Sequence, residues 1–187
     1  MELLQEKLNI NQTKQDLRKF ATEKRNLMSK MGLIEKISDK ITKNILSSFE
    51  YKNSKHIAFY YPIKNEIDIT GIFNKNKNFY LPKCVNNEMF FCKINSLDEL
   101  KKGAFNIPEP QGERIDPDIL DIIYIPALMA NKKNYRLGYG KGFYDRFFKK
   151  NNIKAKKIII ICNAFLSDEF VEDEYDYTCD KIITEKD

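Results

Sequence analysis

Two long apolar runs constrain the fold of this chain more than any other feature. Residues 119–126 read ILDIIYIP, and residues 156–165 read KKIIIICNAF. Both include an apolar run of strand length, whereas a strand with one solvated face alternates apolar and polar residues. Strands of this kind are covered on both faces, as in a parallel sheet packed between helices. The chain is therefore expected to build such a sheet.

The remaining pattern alternates between strand and helix candidates. The other predicted strands are HIAFYY, FYLPKC, MFFCKI and DKIIT, at residues 56–61, 79–84, 89–94 and 180–184. Helices are predicted over residues 11–31, over 33–49, briefly after residue 66, and from the glycine-rich stretch to Lys150. In the second helix, apolar residues recur every three or four positions, namely Ile34, Ile37, Ile41, Ile45 and Phe49. Residues 102–118 hold three of the six prolines and are predicted to form a long loop. This order predicts an α/β fold with a largely parallel sheet.

Length and charge narrow the class of protein. The 187 residues fit one domain, 1–187, and 42% hydrophobic content excludes a disordered chain. The net charge of +5 comes from scattered lysines, which suits an anionic small molecule. No nucleic-acid partner is expected, because no arginine stripe or reading motif is present.

Cysteine, histidine and hydropathy patterns exclude further classes. The cysteines are Cys84, Cys92, Cys162 and Cys179, without CxxC spacing, and His56 is the only histidine. Reduced thiols rather than a zinc site are expected. Residues 1–10 lack the features of a secretory signal, and no apolar stretch approaches the ~20 residues of a membrane span. A cytoplasmic monomer with no membrane partner is expected.

The stretch YRLGYGKGFYDRFF, residues 135–148, points to an anion site. It holds Gly138, Gly140 and Gly142, three of only seven glycines, and a predicted helix begins where they end. Glycines let the backbone approach phosphate oxygens, and a helix N-terminus presents unpaired N–H groups to them. The spacing fits neither the Walker A motif nor the dinucleotide GxGxxG motif. A tight structural turn is the alternative interpretation.

Residues 136–148, RLGYGKGFYDRFF, resemble the signature of the 5-formyltetrahydrofolate cyclo-ligase family, approximately RLGxGxGYYDR. The stretch departs from that pattern at Phe143, where the family has tyrosine. Five further segments resemble the family in the same order: KQDLR, FYYPIKNEIDIT, FNIPEP, DIIYIPALMA and EDEYDYTCDKIIT, which begin at residues 14, 59, 105, 121 and 172. The resemblance runs from about residue 14 to residue 184.

The resemblance implies a fold and a reaction. The fold is a three-layer α/β/α arrangement with a mostly parallel sheet, Rossmann-like in the broad sense. The reaction is ATP-dependent conversion of 5-formyltetrahydrofolate to 5,10-methenyltetrahydrofolate, with release of ADP and phosphate. The expected partners are a reduced folate and ATP, and the expected cofactor is Mg²⁺.

The resemblance also assigns residues to roles. The ATP-binding set is Lys14, Arg18, Arg136, Leu137, Gly138, Tyr139, Gly140, Lys141, Gly142, Phe143 and Tyr144, within which Arg136 and Lys141 stabilise the transferred phosphoryl group. The folate-binding set is Tyr61, Glu66, Tyr139, Gly140, Lys141, Gly142 and Phe143. Asp145 and Asp176 are the implied magnesium ligands. These residue types suit the chemistry, because a carboxylate accepts N–H groups from a pterin and Mg²⁺ prefers carboxylate, phosphate and water oxygens.

Three further positions depart from the family. Asn131 and Asn134 stand where the family usually has aspartate and glycine, and Tyr175 replaces a histidine. Asn134 is expected to keep the turn by adopting a left-handed conformation. Asn131 and Tyr175 leave open a nucleotide-binding regulatory module with weakened catalysis. A phosphoryl-transfer enzyme for another formylated or sugar-phosphate substrate is a third hypothesis, and RNA binding is the last.

Overall fold

The computed structural model describes residues 13–103, 107–168, 170 and 172–187. The helices are α1 (Lys14–Lys30), α2 (Leu33–Ser47), α3 (Phe49–Asn53) and α4 (Phe143–Lys150). The strands are β1 (His56–Ala58), β2 (Asn78–Val85), β3 (Glu88–Ile94), β4 (Lys101–Lys102), β5 (Pro108–Glu109), β6 (Ile122–Pro126), β7 (Met129–Ala130), β8 (Arg136–Leu137), β9 (Lys156–Ile160) and β10 (Lys181–Ile183). Residues 1–12 lie outside this description, and with them the expectation about a secretory signal and the start of the first predicted helix.

Six strands form the central sheet in the order β10-β9-β6-β1-β2-β3. All neighbours are parallel except β2 and β3, which form an antiparallel pair at one edge. The two apolar runs supply β6 and β9, which lie side by side with Ile125 opposite Ile159. The prediction of a mostly parallel sheet is confirmed.

Helices cover both faces of this sheet. Side chains alternate along a strand, and Phe79 of β2 lies opposite Ile94 of β3, so Phe79 and Phe91 point to opposite faces. The Phe79 and Phe73 ring centroids lie 5.0 Å apart, and the Tyr51 hydroxyl of α3 donates to the carbonyl of the neighbouring Ile72 at 2.6 Å. The Phe91 ring packs edge-on against Phe147 of α4, with centroids 5.3 Å apart. The three layers expected from the resemblance are therefore present.

The second predicted helix is shorter than its apolar pattern suggested. Ile34, Ile41 and Ile45 are buried as expected, but α2 ends at Ser47. The Ser48 side chain accepts a hydrogen bond from the backbone N–H of Tyr51 and starts α3. Phe49 therefore leaves the apolar face and is 78% exposed, so its assignment to that face was wrong.

The predicted long loop is partly regular. β4 and β5 pair in it, and a helical turn covers Pro117–Ile119, where part of a strand was expected. The backbone N–H of Ile115 donates to the carbonyl of Phe91, 3.0 Å away, because the edge of β3 offers free backbone groups. Residues 104–106, part of the FNIPEP match, lie outside the described residues.

The strand order determines where a ligand can bind. The chain leaves β1 for β2 on one side and later returns to β6 on the other side of β1. In open α/β sheets such a switch in direction leaves a crevice at the carboxyl ends of the two strands. Across the described ranges, the helices are all too short or too polar to cross a membrane.

Candidate active site

A cleft of about 1120 Å³ opens at the carboxyl ends of β1 and β6. Its walls come from α1, the turn after β1, the β2–β3 hairpin, the glycine loop (residues 138–142) and the C-terminal segment (residues 173–176). Ligand pockets usually span ~300–1,000 Å³, so this cleft has room for more than one small molecule. Every predicted site residue lines it: Lys14, Arg18, Tyr61, Glu66, the whole stretch 136–145, and Asp176. The structure brings them together, and their individual roles stay predictions.

The glycine loop bends tightly around an arginine from α1. The φ angles are 92° at Gly140 and 62° at Gly142, and Gly142 directly precedes α4. The Arg18 Nε donates a hydrogen bond to the Gly138 carbonyl, 2.9 Å away. A Cβ atom on Gly140 would lie 3.3 Å from the Arg18 guanidinium carbon. A glycine at position 140 therefore permits both the positive φ angle and the close approach of Arg18.

Arg136 is buried at the base of this loop and paired with Asp145. Its Nη2 donates to Asp145 Oδ1 at 2.9 Å, and the guanidinium lies 5.2 Å from the centroid of the Tyr144 ring. The Arg136 Nε has no hydrogen-bond partner among the described residues. A buried donor without a partner is costly, so a ligand or water is expected to satisfy it.

Lys14 links the start of α1 to the C-terminal segment. Its Nζ lies 2.7 Å from an oxygen of Asp173 and 2.5 Å from Oδ2 of Asp176. Burial lowers the pKa of Lys14, but the hydrogen bonds to the two carboxylates outweigh that effect and raise it. Lys14 and Arg18 share one helix face, as their spacing predicts, yet they contact different groups.

Glu66 is a buried carboxyl group in the turn after β1. It is 7% exposed, and its Oε2 accepts a hydrogen bond from the backbone N–H of Ile63 at 3.0 Å. Burial raises the pKa of Glu66 to about 7. Tyr139 faces the same region, and burial raises its pKa to about 12. The Lys64 ammonium lies over the Tyr139 ring at 4.8 Å, so this turn contacts the glycine loop.

The sequence reasoning missed several cleft residues. Lys64, Arg146 and Lys149 add cations, and Leu81 and Met89 form an apolar wall. Arg146 had a local signal, because it is four residues after Gly142, and it donates to the Lys141 carbonyl at 2.7 Å. The apolar wall had no local sequence signal, because Leu81 and Met89 face the cleft only through the way the β2–β3 hairpin lies against the glycine loop.

Phe143, the departure within the signature, lines the cleft, whereas the other three departures from the family pattern fall at its margin or outside it. Asn131 does not line the cleft. Its Oδ1 accepts hydrogen bonds from the backbone N–H groups of Lys133 and Tyr135 in the β7–β8 turn. Asn134 has a φ of 62°, so the predicted left-handed turn is confirmed. Tyr175 lies at the cleft edge and is 71% exposed.

Few residues in the part of the chain that the structure describes are candidates for metal binding or thiol chemistry. No group of three or more His, Cys, Asp or Glu residues is placed to hold a metal there. Asp145 and Asp176 both line the cleft. The four cysteines are free, as expected, and burial raises the pKa of Cys84 to about 11. His56 instead contacts the Tyr80 hydroxyl at 2.8 Å, away from the cleft.

Comparison with known proteins gives a consistent answer. A family model described as the 5-formyltetrahydrofolate cyclo-ligase family matches residues 10–185. A 5-formyltetrahydrofolate cyclo-ligase of Mycoplasma genitalium is 32% identical over 178 residues, which is 91% of this chain and 96% of that protein. The mouse 5-formyltetrahydrofolate cyclo-ligase is 26% identical over 92% of this chain and 89% of its own.

Solved structures agree with the sequence relatives. The NMR structure of Aquifex aeolicus 5,10-methenyltetrahydrofolate synthetase matches with a TM-score of 0.82 and 36% identity, over 93% of this chain and 90% of that one. A 5,10-methenyltetrahydrofolate synthetase from Mycoplasma pneumoniae matches with a TM-score of 0.75 and 28% identity, over 93% and 99% of the two chains. Fold, motif order and family model thus agree: the chain belongs to the 5-formyltetrahydrofolate cyclo-ligase family.

Proposed function

We propose that this chain is an enzyme that converts 5-formyltetrahydrofolate and ATP to 5,10-methenyltetrahydrofolate, ADP and phosphate. The observation that carries the proposal is the single cleft of about 1120 Å³, which joins the glycine loop and its cations to the buried Glu66 carboxyl. A nucleotide and a folate can occupy such a cleft together. The family relationship supports the same reaction.

The chemistry requires the two substrates to meet in one place. The N5-formyl group is an amide-like carbonyl, which is a weak electrophile with a poor oxygen leaving group. Transfer of the γ-phosphoryl group of ATP to the formyl oxygen gives a phosphorylated iminium and ADP. The N10 nitrogen then attacks the activated carbon and loses its proton, the C–O bond breaks, and phosphate leaves with that electron pair as the ring closes. The protein's task is alignment and charge stabilisation.

The glycine loop and its cations form the proposed nucleotide side. The backbone of residues 136–144 wraps the phosphates beside Arg18, and the first turn of α4 presents its N–H groups to them. The partnerless Nε of Arg136 supports a role in binding an anion. Lys141 is exposed on the loop and is proposed to stabilise the transferred phosphoryl group.

Asp145 and Asp176 are the proposed holders of Mg²⁺. Asp145 bonds Arg136 through Oδ1, and Asp176 bonds Lys14 through Oδ2. Their second oxygens, Oδ2 of Asp145 and Oδ1 of Asp176, make no hydrogen bond with the other described residues, so both carboxylates fit a metal held jointly with phosphates and water. When bound, Mg²⁺ would neutralise negative charge on the phosphates.

Glu66 and the apolar wall form the proposed folate side. An ionised carboxylate can accept two N–H groups from the aminopyrimidine edge of a pterin. Tyr61, Tyr139 and the wall of Leu81 and Met89 would cover the flat ring system. We further propose that the protein acts as a cytoplasmic monomer, which fractionation and gel filtration would check.

The geometry favours catalysis over the regulatory alternative. Asn131, one of the two residues behind that hypothesis, is part of a turn outside the cleft, so its identity removes no charge from the site. A regulatory module predicts ATP protection against unfolding without folate-dependent ATP consumption. The enzyme predicts one ADP formed for each methenyl product.

Lys141→Ala is the direct test. Protein, 5-formyltetrahydrofolate, ATP and Mg²⁺ are mixed, and the near-ultraviolet absorbance of the methenyl product is followed. We expect kcat/KM to fall about 100-fold, because one stabilising contact to the transferred group is lost. Lys154→Ala, an exposed lysine outside the cleft, should keep full activity. No absorbance change with folded wild-type protein would overturn the function, and full activity of Lys141→Ala would overturn the role of Lys141.

A further inference from the structure

Arg25 is a buried cation on α1 that lies beneath the cleft rather than in it. It is 3% exposed and does not line the cleft, although it follows Arg18 by about two helical turns on the same face. A buried charge is costly unless other groups compensate it. The groups that contact Arg25 therefore indicate the role of its buried charge.

The guanidinium holds the exit of β6. Its Nη2 donates to the Ala127 carbonyl and lies 3.4 Å from that of Leu128, and the group stacks 5.1 Å from the Phe165 ring centroid. Ala127 and Leu128 directly follow β6 and line the cleft. Arg25 thus anchors one wall of the cleft from behind.

None of these partners neutralises the charge of Arg25. Within the described part of the chain, no carboxylate forms an ion pair with it. Glu66 lies in a turn that packs against this part of α1: Asn65, next to Glu66, donates a hydrogen bond to Asn26, next to Arg25, at 2.7 Å. Burial raises the pKa of Glu66, and the backbone N–H of Ile63, followed by the charges of Arg25 and Lys64, opposes that rise. Arg25 acts in the same way on Tyr139 of the glycine loop. One buried guanidinium therefore acts on three walls of the cleft.

The other titratable groups that interact with Glu66 are not buried cations. The titratable groups that interact with it are Arg25 on α1, Lys64 in its own turn, Tyr60 after β1, Tyr139 in the glycine loop and Tyr144 on α4. The phenols are neutral near pH 7. Lys64 is exposed, and its ammonium lies over the Tyr139 ring. Arg25 is the cation of this group that solvent does not screen.

We propose that Arg25 is a positioning residue for the folate side of the cleft, where it fixes the exit of β6 and supplies the buried countercharge of Glu66. This inference rests on the proposed function. Arg25 does not touch the substrate and acts through Glu66. An ionised Glu66 offers only acceptors to the pterin edge, whereas a protonated one would present a donor to it.

Two substitutions at position 25 separate the effect of the positive charge from that of the hydrogen-bond donors. Arg25→Gln keeps a donor for the β6 exit and removes the charge, whereas Arg25→Lys keeps the charge and shortens the donor fork. Lys24→Met is the matched control, because the Lys24 ammonium also lies over the Phe165 ring, at 5.8 Å. Both residues place a cation beside that ring, so Lys24→Met removes such a cation while Arg25 stays in place.

The first measurement is the dissociation constant of 5-formyltetrahydrofolate from pH 6 to pH 9 without ATP. In Arg25→Gln we expect the pH midpoint of tight binding to rise by about one unit, since a nearby cation is lost. Arg25→Lys and Lys24→Met should keep the wild-type midpoint. A midpoint unchanged in Arg25→Gln, with only lower stability, would make Arg25 merely structural and overturn the proposal.

The second measurement needs no folate. Denaturant unfolding is compared between each Arg25 background and the same background carrying Glu66→Gln, across the same pH range. The pH dependence of the difference reports the ionisation of Glu66 in the folded protein. If wild-type protein binds no 5-formyltetrahydrofolate, the proposed function fails while this titration still decides the role of Arg25. If Arg25→Gln does not fold, a shifted midpoint in Arg25→Lys would contradict the proposal and an unshifted one would support it.

Discussion

At the residue scale, the site contains charged residues held in ion pairs and one buried carboxyl group, that of Glu66. Lys14 and Arg136 are each paired with an acidic residue expected to bind metal, so cations and carboxylates balance each other in the free protein. Glu66 has no such pairing among the described residues, and burial raises its pKa to about 7. A buried carboxyl group with a raised pKa is typical of functional sites.

Glu66→Gln is therefore expected to stabilise the protein while it weakens folate binding. The folded pKa of Glu66, about 7, is above its ordinary value of 4.5, so its contribution to stability is present below pH 4.5 and is lost as the pH rises through 7. A shift of this size corresponds to roughly 3 kcal/mol at most. Glu66→Gln cannot lose a proton, and it should exceed the wild type in unfolding free energy above pH 7.

The measurement is urea unfolding at pH 5 and pH 8. The gain should be small at pH 5 and larger at pH 8, and the KM for 5-formyltetrahydrofolate should rise at least about tenfold, as expected for one lost charged hydrogen bond. Glu23→Gln, at an exposed position on α1, should change neither quantity. A variant that is less stable than wild type at pH 8 would contradict the argument.

At the element scale, the glycine loop combines a tight turn with close contact to a neighbouring helix. Positive φ angles occur both at Gly140 in the loop and at Gly32 in the turn between α1 and α2. A Cβ on Gly32 would meet nothing within 4 Å, whereas one on Gly140 would press on Arg18. The two glycines thus share the backbone requirement and differ in their surroundings.

Comparing Gly32→Ala with Gly140→Ala tests this difference. Each should lose about 1–2 kcal/mol of stability, because alanine is strained at positive φ. Only Gly140→Ala should raise the KM for ATP, by about tenfold or more, because it displaces Arg18 by steric contact. Circular dichroism melts and steady-state kinetics provide both readouts. Equal kinetic effects in the two variants would show that the loop is only a structural turn.

At the scale of the whole molecule, the cleft joins parts of the chain that are far apart in sequence. Lys14 at the start of α1 pairs with Asp173 and Asp176 near the C-terminus. Arg18 on the same helix holds the glycine loop. A ligand bound among these residues should therefore stabilise the fold as a unit.

A non-hydrolysable ATP analogue with Mg²⁺ should raise the melting temperature. At 100 times its dissociation constant the ligand stabilises by about 2.7 kcal/mol, and a domain of this size gains ~2–4 °C per kcal/mol. A shift of roughly 5–10 °C is expected by differential scanning fluorimetry, and EDTA should remove most of it. Lys14→Ala should lose most of the shift, whereas Lys40→Ala on exposed α2 surface should keep it. A shift insensitive to EDTA would argue against Asp145 and Asp176 as metal ligands.

The sequence by itself determined the class of fold and the segments of the cleft. The runs that became β6 and β9 are apolar on both faces, and only a sheet between two layers buries such strands. The tight turn of the glycine loop was readable because its positive φ angles at Gly140 and Gly142 favour glycine within a short stretch of sequence. The shorter elements were less readable: Ser48 ended α2 early and left Phe49 exposed, because a capping side chain outweighed apolar periodicity.

Only the tertiary structure decided which charge meets which. Lys14 pairs with residues more than 150 positions away, and Arg25 is buried under the exit of β6 although its helix reads as a charged helix with only a thin apolar stripe. The apolar wall of Leu81 and Met89 likewise faces the cleft because of where the hairpin lies. These contacts depend on strand order and on how the layers pack, which bring distant residues together. Local pattern carries no information about such long-range pairs, so the environment of Glu66 could not be read before the fold was known.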